Sequence, residues 1–500
     1  MQPIVDVETM RACDAATIAG GVSGRELMWR AGEGILGAHE WTGKTAIVCG
    51  SGNNAGDGYV LALLLRERGK DVTLILLEER FSEDGRYYYD RCLDAGIERI
   101  LYDSSIELSD YDTIVDCILG TGFRGDVTGR VAEAIHTINR SGKTVICADI
   151  NSGLGGDNGQ GALCVRSDLT VSVGTYKAGL FLGRAKEVIG ARKNVDIGIA
   201  IPTPHAFLTA QSDFGEILTP RRADSHKGDY GYVCVMGGSR EYAGAVKLAN
   251  LSAVALRAGC GVSQLAVPEA IANAVAPHLL ESTLLPIPSD ETGHMQYCPD
   301  VLDGLLSRMQ SIAVGMGWGS ADSHAKILTH LLQNGSLSLV IDADGLNTLS
   351  RMELSILKTT ACRVVLTPHL KEFERLSGIP IKEILNDPIR HAQAFAKTYG
   401  ICLLLKGACT VVTDGEITLL VDRGCAGMAT AGSGDVLSGI LAGLLGYAPV
   451  SPLTVACGAY IAGLAGELAQ EAVNPISVLA SDTVAHVGAA ISKMTEKKTV

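Results

Sequence analysis

The sequence predicts an α/β protein with two doubly wound domains, each a three-layer α/β/α arrangement around a mostly parallel sheet. Short runs of aliphatic and β-branched residues alternate with helical segments, and most of the runs end in a glycine turn. The composition agrees with this class, because 47% hydrophobic and 19% charged residues are typical of globular chains. A length of 500 residues is too great for one ordinary core and indicates more than one domain.

The first half is predicted to contain two N-terminal helices and then five strands that alternate with helices. A Ser23-Gly24-Arg25-Glu26 capping box marks the start of the second helix. The first strand, residues 45–49, leads through a glycine-rich turn into a helix at residues 59–68. The remaining strands are expected at residues 72–77, 113–119, 144–149 and 169–173.

Three of these strands end in turns that combine glycines with carboxylate and amide side chains. Because the carboxyl ends of parallel strands meet at one sheet edge, we expect these turns to form one ligand site. Oxygen ligands with one formal charge suit a hard, weakly charged cation better than zinc, although turn hydrogen bonds alone explain the same residue types. The turns are residues 50–58, Asp116 with residues 120–126, and Asp149 with Asn151, Ser152 and Gly153.

The domain boundary is predicted near residue 210, which gives domains at residues 1–210 and 211–500, because prolines between residues 201 and 220 interrupt the periodicity. A second strand, glycine turn and helix unit starts with a strand at residues 232–236, and its Ala-rich helix is expected to reach Arg257. Further strands are expected at residues 264–267, 311–314, 338–342, 362–366 and 401–405. Their ends carry Gly315-Met316-Gly317, Asp342-Ala343-Asp344 with Asn347, Thr367-Pro368-His369 with Glu372, and Lys406-Gly407.

The most informative stretch is Ala429-Thr430-Ala431-Gly432-Ser433-Gly434-Asp435, which precedes an apolar helix. Glycine amides at a helix N-terminus form a phosphate site. A carboxylate there repels an anion, so Asp435 fits a base that deprotonates a hydroxyl attacking phosphorus, while an N-capping Asp is the alternative. Lys406 fits either a phosphate ligand or a solvated lysine. The residues alone indicate a nucleotide-dependent enzyme acting on a hydroxyl.

Charge and cysteine usage exclude several other classes of protein. A net charge of −13 without a basic stripe argues against nucleic acid as a partner. Fourteen cysteines are scattered without a CxxC pair or a Cys/His cluster, which predicts reduced thiols. No secretory signal is visible at the N-terminus, and glycine and proline interrupt the longest apolar stretches. The sequence therefore predicts a cytoplasmic protein without a membrane partner.

The second half resembles the ribokinase-like superfamily and, within it, the NAD(P)H-hydrate dehydratases. The resemblance rests on His226-Lys-Gly-Asp-Tyr-Gly231, Asp342-Ala-Asp-Gly-Leu-Asn347, Thr367-Pro-His-Leu-Lys-Glu372 and Gly427-Met-Ala-Thr-Ala-Gly-Ser-Gly-Asp-Val-Leu-Ser-Gly439, together with Gly315–Gly317 and Lys406-Gly407. The first half resembles the NAD(P)H-hydrate epimerases through Gly52-Asn-Asn-Ala-Gly-Asp-Gly58, Asp116, Gly120-Thr-Gly-Phe-Arg-Gly125 and Asp149-Ile-Asn-Ser-Gly153. Ala55 departs from the family, which usually has a second glycine there.

This resemblance covers nearly the whole chain and implies a Rossmann-like first domain and a ribokinase-like second domain. The implied activity is repair of reduced nicotinamide cofactors that carry water added across the ring as R and S epimers. The first domain would interconvert the epimers. The second would phosphorylate the ring hydroxyl of the S form with ADP, after which phosphate leaves and NAD(P)H and AMP remain. An ordinary kinase with a stable phosphoester product, and a partner-binding first domain without catalysis, are the competing hypotheses.

For the first domain, the resemblance implies that two loops hold the substrate's phosphates and ribose and that Asp149 contacts the nicotinamide ring as candidate acid or base. Potassium would be bound by Asn54, Asp116 and Ser152. The implied substrate-binding set is Asn53, Asn54, Ala55, Gly56, Asp57, Gly120, Thr121, Gly122, Phe123, Arg124, Gly125, Asp126 and Asp149.

For the second domain, the resemblance implies that Asp435 is the base, that the amides of residues 431–434 form an anion hole and that Mg²⁺ bridges the phosphates. A homo-oligomer is also expected. The hydrated cofactor would face Ala245, Gly317, His369 and Asp435. The nucleotide, ADP or its product AMP, would be held by Lys406, Gly407, Ala408, Cys409, Thr410 and Gly434.

Overall fold

Two sheets organise the chain in the computed structural model, which describes residues 1–254 and 257–496. The chain divides into a first unit, Gln2–Phe207, and a second unit that starts at Leu208 and includes Met1. Strand β10 (Ala206–Leu208) lies at the junction in the sequence.

The first unit is built around a sheet with strand order β4-β3-β2-β5-β6-β7-β9, in which all neighbouring strands are parallel. Outside this sheet, β1 pairs in parallel with β8. The strands are β1 (Gln2–Val5), β2 (Lys44–Cys49), β3 (Asp71–Leu76), β4 (Glu98–Leu101), β5 (Thr113–Cys117), β6 (Thr144–Ala148), β7 (Ser167–Val173), β8 (Tyr176–Lys177) and β9 (Ile189–Val195). The helices are α1 (Val7–Ala19), α2 (Gly24–Ala38), α3 (Asn53–Glu67), α4 (Glu83–Asp94), α5 (Gly129–Arg140) and α6 (Ala185–Val188).

Strands β2 and β5 lie side by side, although β3 and β4 separate them in the sequence. The chain builds the sheet outward from β2 in one direction and then returns at β5 to build it in the other. This reversal is a topological switch point, and open α/β sheets bind ligands at the carboxyl ends of the strands that form it.

Helix α3 approaches the centre of this sheet so closely that only glycine fits at position 58. A Cβ atom there would lie 2.8 Å from the Cys117 Sγ on β5 and 3.0 Å from the Ile47 Cγ2 on β2. This close packing fixes the first turns of α3, which carry Asn54 and Asp57, beside the switch point.

The second unit contains the strand order β13-β12-β11-β14-β15-β16-β17-β18-β19, parallel up to β17 and antiparallel for the last two pairs. Its switch point lies between β11 and β14. The strands are β11 (Tyr232–Met236), β12 (Val262–Pro268), β13 (Thr283–Ile287), β14 (Ser311–Val314), β15 (Ser338–Ile341), β16 (Arg363–Leu366), β17 (Cys402–Leu405), β18 (Thr410–Thr413) and β19 (Thr418–Val421).

Twelve α-helices of the second unit occur in the described part of the chain. They are α7 (Ala243–Val254), α8 (Glu269–Val275), α9 (Pro299–Leu306), α10 (Asp322–Asn334), α11 (Asp344–Leu349), α12 (Ile356–Thr359), α13 (Leu370–Ser377), α14 (Ile381–Asn386), α15 (Pro388–Tyr399), α16 (Ser433–Leu444), α17 (Pro452–Ala472) and α18 (Ala480–Thr495). Helix α17 is long and apolar enough to cross a bilayer, but 83% of its 18-residue apolar stretch is buried inside the protein, as in a core helix.

The predicted fold class is confirmed, and two predicted strands agree with β11 and β14 residue for residue. The prediction for the first glycine-rich turn is wrong, because α3 begins at Asn53 and residues 53–58 are helical. Burial of Ala55 and Tyr59 on one helical face favours this earlier start. The Ala-rich helix predicted to reach Arg257 is helical over Ala243–Val254, and residues 255–256 lie outside the described part.

Candidate active sites

A cavity of about 550 Å³ opens at the switch point of the first unit, beyond the carboxyl ends of β2, β5 and β6. It brings together many of the predicted residues, namely Asn53, Asn54, Asp57, Gly120, Thr121, Gly122, Phe123 and Asp149. Other predicted residues lie outside its lining. Ala55 and Gly56 are buried in α3, Gly125 and Asp126 are exposed, and Arg124 forms an ion pair with Asp157 at 2.8 Å.

Asp149 follows β6 directly and adopts a backbone φ of 64°, which is unusual for a residue other than glycine. Its Oδ1 atom accepts hydrogen bonds from Lys177 Nζ at 2.5 Å and from the Val173 backbone N–H at 3.2 Å. The Lys177 side chain is only 2% exposed, and its ammonium also donates to the Val173 carbonyl at 2.6 Å. A buried lysine therefore supplies the counter-charge of Asp149 and fixes its orientation.

Asp57 lies in the second turn of α3 and lines the same cavity as Asp149. Burial raises the pKa of Asp57 well above its ordinary value, and the charges of Asp149 and Asp14 raise it further, while Lys177 acts in the opposite direction. Burial also raises the pKa of Asp14. The cavity thus holds carboxyl groups whose surroundings differ, because the lysine pairs directly with only one of them.

The three predicted potassium ligands are linked by hydrogen bonds, because Asn54 and Ser152 both donate to the Leu119 carbonyl and Ser152 also donates to Asp116. The Asp116 carboxylate is fully buried and accepts hydrogen bonds from the Ser152 hydroxyl at 2.6 Å and the Ser152 backbone N–H at 2.8 Å. Asn54 donates through Nδ2 to the Leu119 carbonyl at 3.2 Å, whereas its buried Oδ1 atom has no hydrogen-bond partner in the described chain. An orphaned carbonyl oxygen and a buried carboxylate in one hydrogen-bonded group fit a weakly charged cation.

In the second unit, Asp435 lies in the first turn of α16, directly after a glycine loop. Gly432, the N-cap residue, has a φ of 95° and turns the chain into the helix. Burial raises the pKa of Asp435 to about 7, and the negative charges of Asp342 and Asp344 contribute to this rise, while Lys406 opposes it. A carboxyl group with this pKa is suited to accept a proton near neutral pH.

Lys406, at the end of β17, pairs with the buried carboxylate of Asp342 at 2.9 Å and lies 3.8 Å from Glu372. Ser438 on α16 donates to the other Asp342 oxygen at 2.7 Å. Burial alone would raise the pKa of Asp342, but the Lys406 charge and these hydrogen bonds outweigh it and lower the pKa. A Cβ atom at Gly434 would lie 3.4 Å from Lys406 Nζ, so the glycine loop runs past the ammonium group.

The remaining predicted residues of the second unit lie on the neighbouring strand ends. His369 caps α13 by accepting the backbone N–H groups of Lys371 and Glu372 at Nδ1, and half of its side chain is exposed. A Cβ atom at Gly317 would lie 3.0 Å from the Ala245 Cβ, so these two residues face each other. Gly407, Ala408 and Cys409 connect β17 to β18, which begins at Thr410.

Asp344 receives the Gly319 backbone N–H at 2.8 Å and the Asn347 amide at 3.2 Å. Ala343, between the two aspartates, has a φ of 48°. Asp149 and Ala343 are the only residues other than glycine with positive φ in the described ranges, and each lies at one of the two sites. Backbone strain of this kind concentrates at functional sites.

Sequence reasoning missed two residues that hold these sites together, Lys177 and Ser438. Lys177 is far from Asp149 in the sequence, yet it lies within an apolar segment that ends in Leu180 and Phe181. A lysine in such a segment signals a buried ammonium that needs a carboxylate partner. Ser438 carries no comparable signal, because a serine inside an apolar helix is compatible with many environments.

Comparison with known proteins places both halves in described families. Residues 233–487 match the family model described as NAD(P)H-hydrate dehydratase, and residues 24–179 match the model described as YjeF-related protein N-terminus. The bifunctional NAD(P)H-hydrate repair enzyme of Moorella thermoacetica is 34% identical over 460 residues, which cover 87% of this chain and 85% of the relative. The enzyme of the same name from Escherichia coli is 32% identical over 484 residues, 91% of this chain and 87% of the relative.

A crystal structure of an ADP/ATP-dependent NAD(P)H-hydrate dehydratase from Bacillus subtilis, co-crystallised with ATP and Mg²⁺, is 25% identical. It has a TM-score of 0.50 and covers 58% of this chain and 99% of the other. Fold and sites together define a two-domain α/β enzyme with a ribokinase-like second domain. Within that class, the chain belongs to the family of bifunctional NAD(P)H-hydrate repair enzymes. The family predicted from the sequence motifs is thereby confirmed.

Proposed function

We propose that the chain repairs hydrated nicotinamide cofactors through two activities. Residues 1–210 epimerise R- and S-NAD(P)HX, and residues 211–500 dehydrate the S form with ADP as phosphoryl donor, releasing NAD(P)H, AMP and phosphate. The observation that carries the dehydratase assignment is Asp435, which lies behind a glycine loop at the start of α16 and has a pKa of about 7.

In the dehydratase, Asp435 takes the proton of the ring hydroxyl as that oxygen attacks the terminal phosphorus of the nucleotide. The backbone N–H groups at the start of α16 stabilise the negative charge on the transferred phosphoryl group. Phosphate is a far better leaving group than hydroxide, so the carbon–oxygen bond then breaks with help from the ring nitrogen. Loss of a proton from the adjacent carbon restores the double bond of NAD(P)H.

Substrate and nucleotide contacts are assigned by position around Asp435. Ala245 and Gly317 pack against each other and are assigned to the substrate as part of a wall without bulky side chains, and the exposed half of His369 is available to the substrate. The nucleotide is assigned to Gly434 and to the segment from Lys406 through Gly407, Ala408 and Cys409 to Thr410. Lys406 keeps Asp342 as its partner in this assignment and acts on phosphate as a nearby positive charge.

Magnesium fits the second site only as an ion that arrives with the nucleotide. Each carboxylate oxygen of Asp342 and Asp344 already accepts a hydrogen bond, and the described residues contain no cluster of three or more His, Cys, Asp or Glu side chains that would hold a metal. Mg²⁺ is commonly bound by phosphates, waters and one or two carboxylates, which Asp342 and Asp344 supply. Its charge would neutralise the phosphates during transfer.

In the epimerase, Asn53 and the segment from Gly120 to Phe123 are assigned to the phosphates and ribose because they line the cavity. The same two segments include further residues that are assigned to the substrate, namely Ala55, Gly56, Arg124, Gly125 and Asp126. Asp149 is assigned to the nicotinamide ring as acid or base. Potassium is assigned to Asn54, Asp116 and Ser152, and the orphaned Asn54 Oδ1 atom supports this choice over a closed network of turn hydrogen bonds.

The remaining assignments concern surroundings and partners. All fourteen cysteines are free thiols, which supports a reducing compartment such as the cytoplasm. The net charge of −13 supports small-molecule ligands over nucleic acid. A homo-oligomer remains part of the proposal and is tested by the mass of the protein in solution.

The proposal is tested by incubating the protein with a mixture of both hydrate epimers and either ADP or ATP. Complete return of reduced-nicotinamide absorbance, with one free phosphate per cofactor, is the expected result, and ADP should act as donor. A stable phosphoester product would instead identify an ordinary kinase. Conversion that stops when the S form is consumed would exclude the epimerase.

A further inference from the structure

Asp57 lines the epimerase cavity, but its surroundings do not suit a role in binding phosphate or ribose, which is the role assigned to the neighbouring residues. It belongs to the segment that would hold phosphates, yet a carboxylate repels a phosphate. It lines the same cavity as Asp149, and the charge of Asp149 acts on it directly. In the described part of the chain, no residue forms an ion pair or a hydrogen bond with its carboxyl group.

The charged groups of the cavity act differently on these two aspartates, because the positive charge of Lys177 contacts Asp149 and not Asp57. The Lys177 ammonium donates hydrogen bonds to Asp149 Oδ1 at 2.5 Å and to the Val173 carbonyl. The other charged residues that line the cavity are Arg11 and Asp14 on α1 and Asp84 on α4, and Asp84 pairs with Arg25 at 3.2 Å. Asp14 adds negative charge near Asp57. The direct ion pair with Lys177 therefore belongs to Asp149. Asp57 has no such partner in the described chain, and burial together with the charges of Asp149 and Asp14 raises its pKa, which favours its protonated form.

We propose that Asp57 is the general acid and Asp149 the general base of the epimerisation, with Lys177 as the positioning residue that orients Asp149 through their ion pair. This inference rests on the proposed epimerase function of the cavity and assigns a second catalytic residue to it. It replaces the assignment of Asp57 to phosphate or ribose binding.

The reaction requires inversion at one ring carbon. Water adds to the enamine of a reduced nicotinamide so that the hydroxyl group is on the carbon bonded to nitrogen. Asp57 protonates this hydroxyl, the carbon–oxygen bond breaks to release water, and the nitrogen lone pair forms a C=N bond. A water molecule then attacks the planar carbon from the opposite face while Asp149 takes its proton. The proton lost by Asp57 equals the one gained by Asp149, and exchange with solvent restores both.

The decisive variant is Asp57→Asn, assayed with the R epimer in the absence of nucleotide so that the dehydratase is silent. We expect kcat to fall by about 100-fold or more, because general acid catalysis contributes this much. The KM should stay within about threefold of wild type, since the interaction lost is made only in the transition state. The wild-type rate should fall at alkaline pH as Asp57 loses its proton, and this alkaline decline should be absent from the variant.

Two further proteins distinguish a chemical role from a structural one. Asp57→Ala should regain part of its rate near neutral pH when imidazole buffer supplies imidazolium as a small diffusible acid. If the alanine variant fails to fold, the pH profile of Asp57→Asn decides between the two roles. Asp84→Asn is the matched control. Asp84 lines the same cavity, but its carboxylate already pairs with Arg25. This variant should keep the wild-type pH profile.

The inference is overturned if Asp57→Asn keeps both the wild-type kcat and the alkaline decline, or if only its KM changes. It is also overturned if the product of inversion in ¹⁸O-labelled water retains the original hydroxyl oxygen, because the carbon–oxygen bond would then not have broken. A wild-type protein that does not epimerise at all would contradict the proposed function itself, which separates the two failures.

Discussion

At the scale of residues, both sites combine a carboxylate that is paired with a lysine and a carboxyl group without such a partner. Lys177 pairs with Asp149 at 2.5 Å, and Lys406 pairs with Asp342 at 2.9 Å. In each site, the charge of the paired carboxylate raises the pKa of its neighbour, Asp57 or Asp435. Separating the pKa values of two adjacent acids in this way allows one to remain charged while the other exchanges a proton.

The pH dependence of the dehydratase follows from Asp435. Because this carboxyl group must be ionised to accept a proton, and its pKa is raised to about 7, we expect activity to rise with pH through about 7. Asp435→Asn should lower kcat by about 100-fold or more. Initial rates of NAD(P)H formation from the S epimer across the pH range measure both effects, and an acid-side decline well below pH 7 would contradict the assignment.

The same variant should be more stable than the wild type at neutral and alkaline pH. The folded protein holds the Asp435 proton more tightly than the unfolded chain, so stability decreases as the pH rises from the ordinary value of 3.8 towards about 7. Asparagine removes this cost. The midpoint of thermal unfolding should therefore rise relative to wild type above about pH 8 and match it below about pH 4.

The cation proposal predicts that Asn54→Ala abolishes the response of the protein to potassium. Its buried Oδ1 atom has no hydrogen-bond partner among the described residues, so the substitution removes a ligand without breaking an existing bond at that atom. We expect KCl to raise both the unfolding midpoint and the epimerase rate of the wild type. In the variant, KCl should change neither property. Choline chloride at equal ionic strength controls for screening, and an equal response to both salts would exclude a specific site.

At the scale of elements, the N-termini of α3 and α16 place the functional groups, and each helix follows a glycine loop. Gly432 enters α16 with a φ of 95°, and a Cβ atom there would lie 2.6 Å from Leu248 Cδ1 and 2.9 Å from the Ala480 Cβ. The loop is therefore held in one conformation by neighbours on both sides. Its amides are oriented before any ligand arrives, which reduces the cost of binding an anion.

Gly432→Ala is expected to lower both stability and dehydratase activity. Strain from the positive φ alone costs about 1–2 kcal/mol, and the two close contacts add to it. Gly378→Ala, at the end of α13, is the control: its φ is 72°, but a Cβ atom there meets nothing within 4 Å. The control should lose stability without losing activity. Unfolding midpoints and kcat of both variants measure this, and full activity in Gly432→Ala would exclude a rigid loop.

Strands that are buried on both faces could be predicted from the sequence, whereas exposed edge strands, which are recognised only by their hydrogen bonds to a neighbouring strand, could not. Strand β14 is a continuous buried run and agrees with its prediction. Strand β9 lies at the sheet edge, is mostly exposed and contains the adjacent charged residues Arg192 and Lys193, so it lacks that signal. The site follows the same rule. Motifs identified Asp149 and Asp435. The apolar segment around Lys177 indicates that this lysine is buried, but only the fold shows that its partner is Asp149.

At the scale of the whole molecule, each unit has its own site at the carboxyl ends of its parallel strands. The two sites share no described residue. Both are organised by a reversal of strand order, β2 to β5 in the first unit and β11 to β14 in the second. This repeated architecture explains how one chain can carry two reactions on one substrate, since the chemistry depends on which side chains follow the strands.

The final prediction is that the two activities complement each other between separate molecules. With both epimers and excess ADP, Asp149→Asn should restore only the S share of the cofactor, and Asp435→Asn should restore almost none. An equimolar mixture of the two variants should approach complete conversion, because each retains one intact site and the hydrate can dissociate from one protein and bind the other. Reactions without protein correct for spontaneous epimerisation. A mixture that stops at the S share would show that the hydrate passes between sites only within one molecule.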